Sequence, residues 1–190
     1  MKALLSRAGI GLCVLLFAAN ALAQMSAKPT PVDTVIKNGT ILTVTHGTIE
    51  NGSIVIRNGK IAEVGKTVSA PANARVIDAT GKFVMPGIID AHSHTALSGD
   101  VNELTNVIGP HMMMLDAFDY TDKNIYHALA GGTTTSMLLH GSGNMIGGQS
   151  AVIKHKFGLD RDDLLFPDAP RSIKFASGEN PKRVYGTRNQ

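Results

Sequence analysis

The early part of the chain alternates short apolar runs with turn residues. In residues 53–57, Ile54 and Ile56 fall on one face while Ser53, Val55 and Arg57 fall on the other. That period of two predicts a strand with one buried face. Similar runs predict strands at 33–37, 40–44, 60–64 and 75–78. Asn38-Gly39, Asn51-Gly52 and Asn58-Gly59 punctuate them. Both residues of an Asn-Gly pair tolerate positive φ, so each pair predicts a tight hairpin. Ala70-Pro71-Ala72-Asn73 interrupts before the last strand. Residues 24–80 read as a small β-sandwich or barrel piece whose own role is packing.

The pattern then changes. Residues 87–91, entered through Pro86-Gly87, read as a buried strand. Residues 121–130 read as a helix, with Thr121 as its cap and Asn124, Ile125, Leu129 and nearby alanines facing inward; Gly131-Gly132 stops it. Residues 133–139 are partly β-branched and read as a second buried strand. Strand, helix, strand predicts one right-handed βαβ unit.

The first 23 residues have a different character. Lys2 and Arg7 give a positive start, residues 8–19 are twelve unbroken small or apolar residues, and Ala21-Leu22-Ala23 precedes Gln24. This is the three-part form of a secretory signal peptide at 1–23. The run is short of the ~20 residues that span a bilayer. Cys13 lies inside the run rather than after it, which speaks against a lipid anchor. The expected product is periplasmic or secreted, with no membrane attachment after cleavage.

Composition narrows the field further. Apolar residues at 43% and charged residues at 17% exclude a disordered or fibrous chain. The 18 Lys and Arg against 15 Asp and Glu shrink to near balance once Lys2 and Arg7 are removed. No basic block remains, so nucleic acid is not an expected partner. The one cysteine, Cys13, leaves with the leader, which excludes disulfides and cysteine-based sites.

The chemistry concentrates at His92 and His94, two apart at the end of the expected strand 87–91. On an extended chain such residues point the same way, roughly 6–7 Å apart at the backbone. Two imidazoles so placed can converge on one ion, and catalytic zinc often takes three protein ligands plus water. By itself the pair is a weak signal, because paired surface histidines are common. Its context is more specific. The run Asp78-Ala79-Thr80-Gly81-Lys82-Phe83-Val84-Met85-Pro86-Gly87-Ile88-Ile89-Asp90-Ala91-His92-Ser93-His94 resembles the phrase that opens barrel strand one in the amidohydrolase superfamily. The loop from Gly141 to Ser150 and the segment from Gly178 to Gly186 resemble the imidazolonepropionase-like branch of that family. The resemblance implies an α/β fold, a (β/α)8 TIM-type barrel beginning in residues 81–190 and preceded by a β-sandwich segment. It implies His92 and His94 as the first two ligands of Zn2+ or another divalent metal, with one or two ions. It implies hydrolysis of a C–N bond in a cyclic amide or dipeptide by metal-activated water, with a later aspartate as general base.

Other residues invite weaker readings. His140 follows strand 133–139, and barrel active sites gather at the carboxyl ends of strands. It is either a substrate contact or a loop histidine without a role. The glycine loop lacks the ending of a P-loop. Met112-Met113-Met114-Leu115 reads as core packing or a substrate-side wall, and His111 beside it is ambiguous. His46, His127 and His155 are expected to have no ligand role. Family members with a carboxylated lysine take it from a later strand, so neither Lys154 nor Lys174 is expected to serve. Asp160, Asp162, Asp163 and Asp168 read as a solvated loop.

A complete barrel takes about 250 residues. After the leader and the β-rich segment, roughly 110 residues remain for βα units. The family's later ligands and its catalytic aspartate have no counterpart after His155, where there is no further histidine. The expected object is an amino-terminal piece of an amidohydrolase, inactive alone and prone to associate with other copies. The rival reading is a non-catalytic exported binding module.

Overall fold

The protein is described by a computed structural model over residues 32–186, and the leader read at 1–23 lies outside the described residues. The chain divides into two compact units, one ending at Met85 and the other starting at Pro86.

The first unit is built on one mixed sheet. Its strands are β1 (Thr34–Leu42), β2 (Thr48–Arg57), β3 (Lys60–Gly65), β4 (Arg75–Asp78) and β5 (Phe83–Val84). The order is β3-β2-β1-β4, with β5 also pairing with β1. β2 is antiparallel to both β1 and β3, while β4 and β5 run parallel to β1. Within this unit the described strands form one sheet, where a small sandwich or barrel piece was expected.

The Asn-Gly pairs divide into two kinds. Asn58 (φ 51°) and Gly59 (φ 73°) make the expected tight turn between β2 and β3. Asn38 (φ 64°) and Asn51 (φ 57°) instead lie inside β1 and β2. There the register shifts, and Gly39 faces Gly52 across the ladder. A positive φ inside a strand accommodates an extra residue as a bulge without reversing the chain. The two strands expected at 33–37 and 40–44 are therefore one. The single buried face expected for 53–57 also fails. Val55 is 0% exposed and pairs with Val35, also 0%, while Ile54 on the opposite face is 7% exposed. β2 is an interior strand covered on both sides.

The second unit is mixed α/β. β6 (Ile88–Ser93) pairs in parallel with β7 (Thr133–Leu138), and β9 (Ala151–Lys154) lies antiparallel on the far side of β7. β8 (Ile146–Gln149) and β10 (Ile173–Phe175) form a separate antiparallel pair. Helix α1 (Lys123–Ala130) lies between β6 and β7 in the chain; α2 (Arg161–Leu164) and α3 (Glu179–Tyr185) follow β9 and β10. The core joins Ile125 of α1, Leu138 of β7, Ile153 of β9 and Leu164 of α2, all 0% exposed, with Ala96, Met114 and Phe118.

Asp122, not Thr121, caps α1. One of its carboxylate oxygens accepts from Asn124 N at 2.9 Å and the other from Ala96 N at 3.0 Å. Thr121 is drawn the other way, its backbone N–H and hydroxyl both donating to Asp119. A carboxylate accepts at two oxygens and tethers helix and preceding loop together. Of the inward residues expected on α1, only Ile125 is buried; Asn124 and Leu129 are exposed. The strand expected to be buried at 87–91 is also open, with Ile88 50% and Ile89 70% exposed. The cause is topological: β6 has β7 on one edge and no strand on its other edge among the described residues. The stretch read as an acidic loop contains α2, which buries Leu164, while Asp160, Asp162 and Asp168 stay exposed.

Because Ile125 anchors α1 by one fully buried side chain, Ile125→Ala is expected to cost about 2–5 kcal/mol. Urea unfolding followed by far-ultraviolet circular dichroism measures this as a lowered midpoint at unchanged slope.

Candidate functional site

The end of β6 reads His92-Ser93-His94. Alternation along the strand buries Ser93, 4% exposed, and leaves both histidines open. Ser93 pairs with Leu138. The two imidazoles therefore share a side: their ring centroids lie 5.4 Å apart at an interplanar angle of 82°.

Their hydrogen bonds decide which nitrogen of each ring is free. His94 Nδ1 lies 2.8 Å from the backbone oxygen of Leu139. A carbonyl only accepts, so Nδ1 carries the proton and Nε2 keeps its lone pair. His92 Nε2 lies 3.1 Å from Lys174 Nζ on β10. An ammonium only donates, so Nε2 is again the basic nitrogen. Asp90, two residues earlier, accepts from His92 N at 3.1 Å. His94 thus presents a free donor nitrogen on that side, while the basic nitrogen of His92 is engaged by Lys174. Among the described residues, no group of three His, Cys, Asp or Glu gathers as a metal site. The pair supplies two of the usual three protein donors.

Lys174 had been set aside on sequence, yet it is the residue that touches His92, 82 positions away. Lys154 goes elsewhere, its ammonium 4.8 Å from the Phe166 ring centroid. His46 bonds to Thr45 Oγ1 at 2.8 Å, and His127 meets Tyr126 edge-on at 5.8 Å.

His140 follows Leu139 and is 2% exposed. Its Nδ1 donates to Gly141 O at 3.0 Å. A Cβ on Gly147 would come within 2.8 Å of that nitrogen, so only glycine lets the loop close over the ring. The glycine loop is not an anion cradle: Gly141 N donates to Val101 O and Gly143 N to Asn102 Oδ1.

His140 lines an open cleft of about 470 Å³, together with His111, Met112, Met113 and Glu103. Glu103 is held below the usual carboxylate range, first by the Thr105 hydroxyl and backbone N–H, with weaker attraction from His140 and His111. The wall behind Glu103 is pinned by Asn144, which is 0% exposed. Asn144 Nδ2 donates to Glu103 O at 2.5 Å and Asn106 O at 2.6 Å. Tyr185 Oη shares its one proton between the same two carbonyls, at 2.6 and 2.8 Å. Burial raises the Tyr185 phenol, with Glu103 adding to it, which keeps it a donor. These contacts join residues some 40 to 80 apart in sequence, and no local pattern announces them. Met114 belongs to the core at 7% exposed, as expected for core packing, while Met113 is 43% exposed and lines the cleft.

His155 is 3% exposed, and neither ring nitrogen has a hydrogen-bond partner among the described residues. Burial lowers its affinity for a proton, and the nearby Asp90 carboxylate and the backbone of Thr133 offset part of that effect. No helix among the described residues is long and apolar enough to cross a membrane.

No family model matches the chain. It is 35% identical over 157 residues to amidohydrolase tasK of Hapsidospora irregularis, covering 72% of this chain and 16% of that protein. It is 48% identical over 68 residues to the 5′-deoxyadenosine deaminase of Methanococcoides burtonii, covering 35% of this chain and 15% of that one. Among solved structures, an amidohydrolase from Thermotoga maritima MSB8 superposes with a TM-score of 0.74 at 40% identity, over 80% of this chain and 41% of that one. The chain thus spans less than half the length of each of these proteins.

The environment of His155 sets a pH dependence. Unfolded, its imidazole takes a proton near pH 6.5; folded, it resists until lower pH. The unfolded state then binds more protons as pH drops below about 6.5, so stability falls in that window. Thermal unfolding between pH 7.5 and 5.5 is expected to show this loss, and His155→Leu is expected to flatten the slope.

Proposed function

The chain belongs to the amidohydrolase superfamily, and we propose that it is the amino-terminal portion of an exported, metal-dependent hydrolase of C–N bonds. The substrate class proposed is a small cyclic amide or a dipeptide. The observation that carries this reading is the pair of imidazoles on one side of β6, each with Nε2 as its basic nitrogen. Export is proposed from the leader at residues 1–23.

In this reading His92 and His94 hold Zn2+ or another divalent ion. The ion, when bound, supplies an acidified water and a polarised substrate carbonyl. The Leu139 carbonyl keeps His94 in the tautomer that coordinates, and Lys174 decides whether His92 is free to do so. As an ammonium, Lys174 competes for the same lone pair and repels a cation. If the neutral amine takes up carbon dioxide, it becomes a carbamate and releases one proton. The residue is then an anionic oxygen donor in the middle of β10, and we propose it as the third ligand. The general base and further histidines belong to parts of the protein beyond those described.

A second reading, a non-catalytic exported binding module, is favoured by the exposed apolar side chains of β6, Ile88 and Ile89.

Equilibrium dialysis of the full chain against zinc, with and without bicarbonate, tests the first reading. Zinc binding is expected to be weak without bicarbonate and tighter with it. His92→Ala and His94→Ala are each expected to weaken binding by about ten- to a hundredfold, and Lys174→Ala to remove the bicarbonate effect. Dipeptide hydrolysis by the chain alone is expected to be absent. Zinc binding indifferent to both histidines would sink the hydrolase reading, and turnover by the chain with one zinc bound would show the site complete without further donors.

A further inference from the structure

The chain carries the dipeptide Asn-Gly three times, and the fold puts the copies in different surroundings. Asn38-Gly39 and Asn51-Gly52 lie inside β1 and β2, where the two glycines pair across the ladder and both are buried. A Cβ on Gly39 would come within 2.9 Å of Val84 Cγ2, and one on Gly52 within 2.5 Å of Ile41 Cδ1. The Asn38 side chain is held as well, its Nδ2 donating to Asp78 Oδ1 at 3.1 Å. Asn58-Gly59 is instead the tight turn between β2 and β3. Both of its residues are exposed, and a Cβ on Gly59 would meet nothing within 4 Å. The side-chain amide of Asn58 and the N–H of Gly59 have no hydrogen-bond partner among the described residues.

An asparagine side chain is open to attack by the backbone nitrogen of the residue that follows it. That nitrogen must swing toward Cγ, which turns the peptide unit about ψ of the asparagine. A following glycine opposes this least, because it has no Cβ to collide with the side chain. At residues 39 and 52 the facing strand holds the peptide unit in place, and freeing it means opening two paired strands. At the tip of a turn such opening costs close to nothing. Beyond this turn β3 is an edge strand, exposed over most of its length, so little outside the turn restrains it.

We propose that Asn58 is a modification site, where the folded protein loses its side-chain amide while Asn38 and Asn51 are protected. The Gly59 nitrogen gives its proton to a solvent base and forms a bond to Asn58 Cγ. The Cγ–Nδ2 bond breaks, and the amide takes up a proton and leaves as ammonia. The product is a cyclic imide, which water opens at either carbonyl. Cleavage between Cγ and the nitrogen gives aspartate in an unchanged main chain. Cleavage at the main-chain carbonyl gives isoaspartate, whose main chain runs through Cβ and Cγ and is longer by a carbon. Water is the co-reactant, and nothing is oxidised or reduced. Aspartate keeps the turn, because Asp-Gly suits positive φ as Asn-Gly does. Isoaspartate does not, because its added carbon alters the short connection that sets the register of β3 against β2. Either product places a negative charge between Arg57 and Lys60. The inference concerns the first unit and stands apart from the hydrolase reading.

The test uses the full chain, incubated at mildly alkaline pH both folded and unfolded in urea. A lysine-specific protease cuts after Lys37 and Lys60, so all three pairs travel on one peptide, residues 38–60. Tandem mass spectrometry locates each lost amide, and an enzyme that methylates isoaspartyl carboxylates reports the longer linkage. In the folded chain Asn58 is expected to react at least about tenfold faster than Asn38 or Asn51. In urea the three rates are expected to converge. Equal rates in the folded chain would overturn the proposal by denying the protection. The same bias in urea would overturn it by assigning the difference to neighbouring sequence and not to the fold. A folded chain whose Asn58 stays intact while the unfolded chain reacts would overturn it as well. Amide hydrogen exchange reads the consequence. Exchange in residues 53–65 is expected to quicken as isoaspartate accumulates, and Asn58→Asp is expected to match the fresh chain. Isoaspartate at 58 with unchanged exchange would sink the register argument.

Discussion

The backbone of Leu139 ties the ends of two parallel strands together. Its N–H donates to Ser93 O at 2.9 Å, and its carbonyl accepts from His94 Nδ1 at 2.8 Å. One residue therefore continues the β6–β7 ladder and fixes the ring that projects from its end. Ladder and tautomer depend on each other. If the parallel pairing slipped by one residue, the alternation along β6 would reverse, burying the imidazoles and exposing Ser93. The same turn sends the next residue, His140, beneath the glycine loop and into the cleft wall. The two chemically distinct places in this unit follow from one pair of hydrogen bonds.

Charge then separates those places. The His pair offers neutral nitrogens and has a lysine beside it; the cleft offers carboxylates and has none. Asn144 and Tyr185 sharpen this difference. They hold the carbonyls of residues 103 and 106, so those backbone acceptors are already engaged.

The sequence was most legible where local chemistry alone decides conformation. The strand at 75–78 and the turn at Asn58-Gly59 follow from propensity, and the His-x-His geometry follows from the strand's period of two. It was least legible where a local signal has two structural solutions. Asn38-Gly39 and Asn51-Gly52 satisfy positive φ as bulges as readily as in turns, and only the facing strand selects between them. Thr121 and Asp122 are both good caps; Asp119, which takes the Thr121 donors, leaves the helix to Asp122. Lys174 could not be found by any window, because it meets His92 through the pairing of β10 with β8, not through sequence spacing.

Two features of β6 that look unrelated have one physical origin. The strand exposes Ile88 and Ile89, and it ends in two histidines with no third His, Cys, Asp or Glu gathered beside them among the described residues. Both are properties of a strand with one neighbour. A second neighbour on the free edge would cover apolar surface, which favours association at about 25 cal/mol per Å² buried. In a parallel barrel it would also bring the carboxyl end of its own strand level with His92 and His94, where a further ligand belongs. Covering the aliphatic side chains and completing the donor set are thus the same structural event. A variant that relieves the exposed edge with polar residues at 88 and 89 would gain solubility and lose the surface on which the rest of the site is assembled.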